Sequence, residues 1–235
     1  MTSPHQDRPS QIYGFPASSH RLSAASGIVA VVLLAVSFAI VGTNFPTYDD
    51  SPQRYAQFYA EKSSTIELSL LLGIFGGAAF LWFAGFLRWS YGAAEQIARG
   101  YQRATPIAFG SAIAGVALSL VFDAAHEAAV VSQGVANPGV VRAFDLFGGY
   151  ALTAAAVLFS AFLLASFFLI RVTKVLPDWL GLVAGLGTAL GVVQAFLLVA
   201  PQDDNGLLGV LGFVWFFAFL VFTAGASAVL ARRTT

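Results

Sequence analysis

Six apolar runs make up most of this chain of 235 residues, and each is long enough to cross a lipid bilayer. A bilayer core about 30 Å thick needs roughly 20 helical residues, because each residue adds about 1.5 Å. Backbone amides in lipid must pair within their own segment, and the runs lack the alternation of a membrane β-barrel. We therefore predict an all-α, polytopic bundle of six transmembrane helices. The predicted spans are 23–42, 65–87, 106–129, 144–170, 179–199 and 206–230.

The composition excludes several classes of function. Only 10% of the residues are charged and 57% are hydrophobic, whereas soluble domains carry roughly 25% charged residues. The net charge is zero, so nothing favours binding to a nucleic acid. The absence of cysteine excludes disulfides, thiolate metal sites and thiol catalysis.

The N-terminal residues 1–22 are rich in Pro, Ser and Gln and lack an apolar period, so we expect a disordered cytoplasmic tail. The first apolar run is about 20 residues long, which exceeds the roughly 7–15 residues of a signal-peptide core. We therefore interpret it as an uncleaved first span of a domain that covers 23–231.

The basic residues predict the orientation, because cytoplasmic loops of membrane proteins are enriched in Lys and Arg. Nine of the twelve lie in the two terminal segments and in the second and fourth gaps between spans. We predict that both termini are cytoplasmic and that the protein lies in the plasma membrane. The nine are Arg8, Arg21, Arg88, Arg99, Arg103, Arg171, Lys174, Arg232 and Arg233.

The first outer loop contains a predicted amphipathic helix at about 51–62. Tyr55, Phe58 and Tyr59 recur at helical spacing and form one aromatic face. Such a helix either packs over the ends of the spans or lies in the membrane interface as a lid or partner-binding surface. Packing over the helix ends is the simpler interpretation.

Small residues at intervals of four predict where helices pack closely, because lipid provides no hydrophobic drive for helix association. Span five carries two such strips on different faces. We expect it to contact two neighbours and to occupy the centre of the bundle. The residues are Gly181, Gly185, Gly187 and Gly191 in span five, and Ser111, Gly115 and Ser119 in span three.

Ionisable residues within membrane spans are the best default indicators of function, and here they gather at the predicted outer ends of spans two, three and four. At 100° per residue, Asp123 and His126 continue the small-residue strip of span three and should face the bundle. The candidate residues are Glu67, Asp123, His126, Glu127, Arg142 and Asp145.

Three interpretations of this cluster remain open. In the first, Asp123, His126 and Arg142 form a satisfied structural network. In the second, Asp123 and His126 bind a divalent metal or act in acid–base chemistry, with Glu67 or Asp145 as a third group. In the third, the cluster belongs to a proton or cation pathway, although the predicted midplane offers only Ser, Thr and Gln side chains.

Several segments resemble a known family. The segments YDDSPQRYAQFYAEKSS, FLWFAGFLR, VANPGVVRAFDLFGGY and VLPDWLGLVAGLG occur in this order. Together they resemble an uncharacterised six-span membrane family of high-GC Gram-positive bacteria, known only as a domain of unknown function. The resemblance covers about Arg21 to Arg233 and implies a small plasma-membrane protein. It supplies no catalytic residues, and the segment DAAHE at Asp123–Glu127 is not a motif of that family.

The leading functional hypothesis is an integral plasma-membrane protein of unknown activity, without an established catalytic role, that serves as an accessory or assembly partner of a membrane complex. One alternative is an outward-facing enzyme or metal-binding protein that uses the polar cluster. The other is a small-solute or ion transporter. We expect the lipid bilayer as the main partner, with a membrane-protein partner or a homo-oligomer as further alternatives, and we expect no cofactor beyond the low-ranked metal.

Overall fold

The fold is a bundle of six helices, seen in a computed structural model that describes residues 17–42, 45–98, 103–197 and 207–233. The predicted disordered segment 1–16 lies outside the described residues. All six helices are long and apolar enough to cross a membrane, so the prediction of an all-α chain with six helices of spanning length is confirmed. They are α1 (Ala17–Val41), α2 (Pro52–Ala98), α3 (Ala104–Ser132), α4 (Pro138–Thr173), α5 (Asp178–Leu197) and α6 (Leu207–Arg233).

The first helix begins earlier than the sequence pattern indicates. The predicted tail extended to residue 22, but α1 starts at Ala17. The His20 ring packs 5.1 Å from the Trp89 ring and 5.9 Å from the Phe86 ring, measured between centroids. These tertiary contacts extend the helix into a segment that has no apolar period of its own.

The second helix is a single rod of 47 residues that contains both the predicted outer helix and span two. At about 1.5 Å per residue it is about 70 Å long, more than twice the roughly 30 Å of a bilayer core. Tyr55, Phe58 and Tyr59 are buried in an apolar cluster with Ala129 of α3 and Val141 of α4. The loop segment therefore packs over the helix ends. Ile66 and Leu70 continue the same face, so nothing in the pattern interrupts the helix.

Each helix packs against the next one in the chain, and α1 closes the bundle against α6. Ile28 N of α1 donates a hydrogen bond of 3.2 Å to Ser227 Oγ of α6. Arg233 Nη1 donates to Val175 O at 2.5 Å, so the start of α1, the end of α6 and the α4–α5 connection share one end. We call it the proximal end. The opposite end, with the start of α2 and the α3–α4 connection, is the distal end.

The glycines of α5 make close contacts with two neighbours, as their spacing suggests. A Cβ atom at Gly187 would lie 2.6 Å from Leu163 of α4 and 3.7 Å from Ala218 of α6. The centre of the bundle, however, is α4: 56% of its most apolar stretch is buried, against 33% for α5. The helix α4 packs against α2, α3 and α5 together, whereas the main neighbours of α5 among the described residues are α4 and α6. The other glycines that face α4 are Gly181, Gly185 and Gly191.

Candidate functional site

A hydrogen-bonded network joins α2, α3 and α4 at the distal end. Tyr59 donates its hydroxyl to Asp145 Oδ1 at 2.6 Å, and His126 Nε2 lies 3.7 Å from the same oxygen. His126 Nδ1 lies 2.9 Å from Phe122 O, and since a carbonyl only accepts, Nδ1 carries the hydrogen. The ring of His126 fits against Gly148, where a Cβ atom would lie 2.5 Å from Cε1. The Tyr59 hydroxyl and His126 Nδ1 thus both have hydrogen-bond acceptors, and the imidazole lies beside the Asp145 carboxylate.

Arg142 does not join this network. Its Nη2 donates a hydrogen bond of 2.6 Å to Tyr48 O in the α1–α2 connection. Its guanidinium lies 5.5 Å and 5.7 Å from the ring centroids of Tyr48 and Tyr55. Tyr55 in turn donates its hydroxyl to Thr47 O at 3.0 Å. Arg142 therefore fastens the distal loop onto α4, and the predicted pairing of Arg142 with Asp123 and His126 is not what the structure contains.

The remaining members of the predicted cluster lie apart. Glu67 and Glu127 are exposed on the outside of α2 and α3. Within the described part of the chain, no three His, Cys, Asp or Glu side chains come close enough together to hold a metal ion. Asp123 and His126 both face inwards, as the helical angles predicted, but they face different surroundings.

A cavity of about 300 Å³ lies inside the bundle, and all six helices contribute to its wall. Most of the lining is apolar. The polar side chains in it are Ser119, Asp123, Thr153, Gln194 and Trp215. Such a space, apolar with a few polar groups, has the character of a ligand pocket rather than of a water-filled channel.

Asp123 occupies the wall of this cavity opposite a glycine. A Cβ atom built on Gly73 of α2 would lie 3.6 Å from Asp123 Oδ1. Asp123 makes no hydrogen bond and no ion pair with any residue that the structure describes. Ser119, one turn earlier on α3, lines the same cavity and donates its hydroxyl to Gly115 O at 3.1 Å. Gly115 itself lies against Phe159 of α4, and Ser111 is half-buried one turn before it.

The hydroxyl and indole donors in the cavity wall are already used within the protein. Thr153 Oγ1 donates to Gly149 O at 2.9 Å. Trp215 Nε1 donates to Ser160 Oγ at 2.9 Å, and Ser160 Oγ donates to Ala156 O at 2.8 Å. These bonds fix the walls of α4 and α6. They leave the oxygens of Ser119 and Thr153 with free lone pairs but with no hydrogen to give.

Aromatic rings form a floor on the proximal side of the cavity. The Phe80 ring lies 5.6 Å from the Phe159 ring and 5.1 Å from the Phe219 ring, and all three line the cavity. Phe162, which does not line it, packs 5.6 Å from Phe80 on one side and 5.7 Å from Phe222 on the other. The floor is thus two layers of rings deep.

One side of the cavity reaches the surface of the bundle between α1 and α6. Among the described lining residues, Phe38 and Phe213 are the two that are exposed, at 42% and 58%. Their rings meet edge to face with centroids 6.2 Å apart. These two exposed rings mark where the cavity lies nearest to the outer surface of the bundle.

The sequence signalled some of these features and missed others. Asp123 stood out as an ionisable residue within a span, and the face it occupies was correctly predicted. The partnership of Tyr59 with Asp145 was missed, since 86 residues separate them in the chain. The cavity was missed as well; the glycines Gly73 and Gly77 of α2, which leave room for it, were the available signal.

Comparison with known proteins adds no identity to this geometry. No match to the chain is found among known protein families, among characterised proteins or among solved structures.

Proposed function

We propose that this integral membrane protein binds a small lipophilic molecule in the cavity between its six helices. The cavity itself carries the proposal: its volume of about 300 Å³ lies at the lower end of the roughly 300–1,000 Å³ typical of ligand sites. Its lining is apolar, with a few convergent polar groups, and it lies nearest to the outer surface of the bundle at the exposed rings of Phe38 and Phe213. A lipophilic molecule dissolved in the bilayer has direct access to such a site.

The aromatic floor supports binding over passage through the protein. Secondary transporters place their sites at broken helices near the midplane. Here the helices that line the cavity are continuous, and the rings from Phe80 to Phe222 separate the cavity from the proximal end. A transporter of small solutes or ions is therefore the weaker alternative.

A divalent metal held by Asp123 and His126 is also a weaker alternative. The imidazole of His126 is engaged by Phe122 O and Asp145, whereas Asp123 faces the cavity. Elemental analysis of the detergent-purified protein tests this alternative directly: a stoichiometric metal that His126→Ala removes would establish it.

For the cellular setting, we propose the plasma membrane with the proximal end in the cytoplasm. The described basic residues at that end support this orientation, since cytoplasmic ends are enriched in Lys and Arg. The role as an accessory of a larger membrane complex stays a prediction, as does the resemblance to a six-span family. Purification from native membranes, followed by a search for co-purifying chains, tests the accessory role. The basic residues are Arg21, Arg88, Arg103, Arg171, Lys174, Arg232 and Arg233.

Ligand binding is tested with a variant in which a larger side chain on α2 fills the cavity. Gly77 lines the cavity, and a Cβ atom there would meet only Val116 Cγ1, at 3.4 Å, so Gly77→Leu extends a side chain into the space. The matched control is Gly85→Leu on the same helix, because a Cβ at Gly85 has nothing within 4 Å. Both variants gain the same helix propensity.

The readout is the fluorescence of Trp215, which lines the cavity. The other three tryptophans are removed by the substitutions Trp82→Phe, Trp89→Phe and Trp179→Phe. A terminally brominated long-chain alcohol serves as the quencher. We expect saturable quenching in this background, retained with Gly85→Leu and lost with Gly77→Leu. Non-saturable quenching equal to that of a lipid-facing tryptophan would overturn the proposed function.

A further inference from the structure

We propose that the molecule bound in the cavity is a lipophilic amine, whose ammonium group pairs with Asp123. This inference rests on the proposed function and names the ligand class for the same site. It follows from the charge of the cavity, from the direction of its hydrogen bonds and from the aromatic rings around it.

The cavity contains an acidic side chain without a described partner. Asp123 is the one ionisable side chain among the described residues that line it. A carboxylate in membrane surroundings is costly unless a partner neutralises it, and no described residue fills that role. The space in front of Asp123 is also where Gly73 offers no side chain. A cationic group on a ligand fits both the charge and the space.

The hydrogen bonds point to the same ligand chemistry. The oxygens of Ser119 and Thr153 have given their hydrogens to Gly115 O and Gly149 O, so towards the cavity they can only accept. The Asp123 carboxylate also only accepts when ionised. A head group rich in donors matches such a lining, and an alkylammonium group has three donors and no acceptor. A carboxylate or phosphate head group would meet these three acceptors and would find no donor among them; the amide of Gln194 is the remaining polar group of the lining with hydrogens to give.

The surrounding rings add to the preference for a cation. Phe122, next to Asp123 in the chain, lines the cavity together with Phe38, Phe213 and Phe216. The face of an aromatic ring attracts cations, most strongly where water is excluded. The tail of an alkylamine extends from this end along the apolar wall towards Phe38 and Phe213, the exposed residues of the lining.

The test compares two quenchers of Trp215 in the background that keeps this tryptophan alone: a terminally brominated long-chain primary amine and the alcohol of the same length. A variant that keeps only Trp82, which is 67% exposed to lipid, reports how each quencher partitions into the detergent or bilayer. We expect the amine to quench Trp215 at a concentration about tenfold or more below that of the alcohol, after this correction, as suits a charge-assisted hydrogen bond.

Asp123→Asn should remove that preference, because it keeps the size of the side chain and removes the charge. The matched control is Glu127→Gln, which removes a charge from the exposed side of the same helix one turn later and should change nothing. Asp123→Glu retains the charge and should retain the preference. The comparison of amine and alcohol in the unaltered cavity stands even where a variant fails to fold.

The possible results of this test bear differently on the ligand-binding proposal and on the assignment of an amine. Equal quenching by amine and alcohol, or a preference that survives in Asp123→Asn, would overturn the assignment of the amine and leave ligand binding intact. Loss of specific quenching by both compounds would overturn the proposed function together with this inference. A preference that Asp123→Asn abolishes and Glu127→Gln preserves would support both.

Discussion

Two carboxylates in the membrane part of this protein are placed in opposite ways. Asp145 on α4 faces Tyr59 of α2 and His126 of α3, and both side chains contact its Oδ1. Asp123 on α3 also faces α2, but the residue opposite is Gly73, which has no side chain to bind it. The chain thus completes one polar contact between helices and leaves the other to be completed from outside.

The contrast separates structural polar residues from candidate binding residues. A burial pattern or a charge count treats Asp123 and Asp145 alike, since both are half-buried acids within apolar helices. What differs is the side chain on the helix across from each. An ionisable residue within a membrane protein therefore indicates a binding site most strongly where the residue opposite it on the adjacent helix is a glycine and a cavity lies between the two.

The largest expected effect tests whether the two carboxylates differ in their contribution to stability. Asp145→Ala leaves the Tyr59 hydroxyl and the His126 ring without their shared partner, and it should lower the free energy of unfolding by about 2–3 kcal/mol. Asp123→Ala removes an unpaired charge and should be neutral or stabilising. Thermal unfolding in detergent, followed by tryptophan fluorescence, measures both; equal losses would abolish the distinction drawn here.

A smaller effect tests how tightly the distal network is packed. Gly148→Ala places a Cβ atom 2.5 Å from Cε1 of His126 and 3.3 Å from Ala125 Cβ, so the ring must move away from Asp145. We expect a loss of about 1–2 kcal/mol in unfolding free energy, as for an overpacked core. The neighbouring Gly149→Ala has nothing within 4 Å and should be neutral or slightly stabilising. Equal melting temperatures for the two variants would show that the His126 ring can move freely.

The smallest effect concerns the distal loop, outside the membrane. The backbone N–H of Thr47 donates to Asp50 Oδ2 at 2.7 Å, and this bond holds the pKa of Asp50 below its ordinary value of 3.8. A lowered pKa in the folded state means that the contribution to stability is present above pH 3.8 and is lost as the pH falls through the folded-state pKa. Asp50→Ala should speed hydrogen exchange of the Thr47 amide at neutral pH without changing the melting temperature. An unchanged exchange rate would mean that the carboxylate does not hold this turn.

The fold could be predicted almost completely from the sequence because its main constraint is local. A run of about 20 apolar residues must be helical in lipid whatever surrounds it. The glycines of α5 likewise mark close contacts, since Gly187 leaves only 2.6 Å between a built Cβ and Leu163. Which helix becomes central depends on how all six faces combine, and the choice of α4 over α5 could not be predicted from any single strip.

The candidate site was predicted only in part, for a related reason. The helical angle placed Asp123 towards the interior, because that is a property of α3 alone. Its lack of a partner depends on Gly73, and the role of Asp145 depends on Tyr59, which was predicted to lie on an outer helix separate from span two. Contacts between helices distant in sequence decide which acid is satisfied, and periodicity contains no information about them.

The length of α2 has a mechanical consequence. One uninterrupted helix of 47 residues carries buried Tyr59 near its distal end, Gly73 and Gly77 beside the cavity, and buried Tyr91 near its proximal end. In a straight helix of about 70 Å, a tilt of about 5° about Gly77 would displace each end by roughly 3 Å. A molecule that pushes against Gly73 and Gly77 would thereby move the distal and proximal ends of α2 at the same time, in opposite directions.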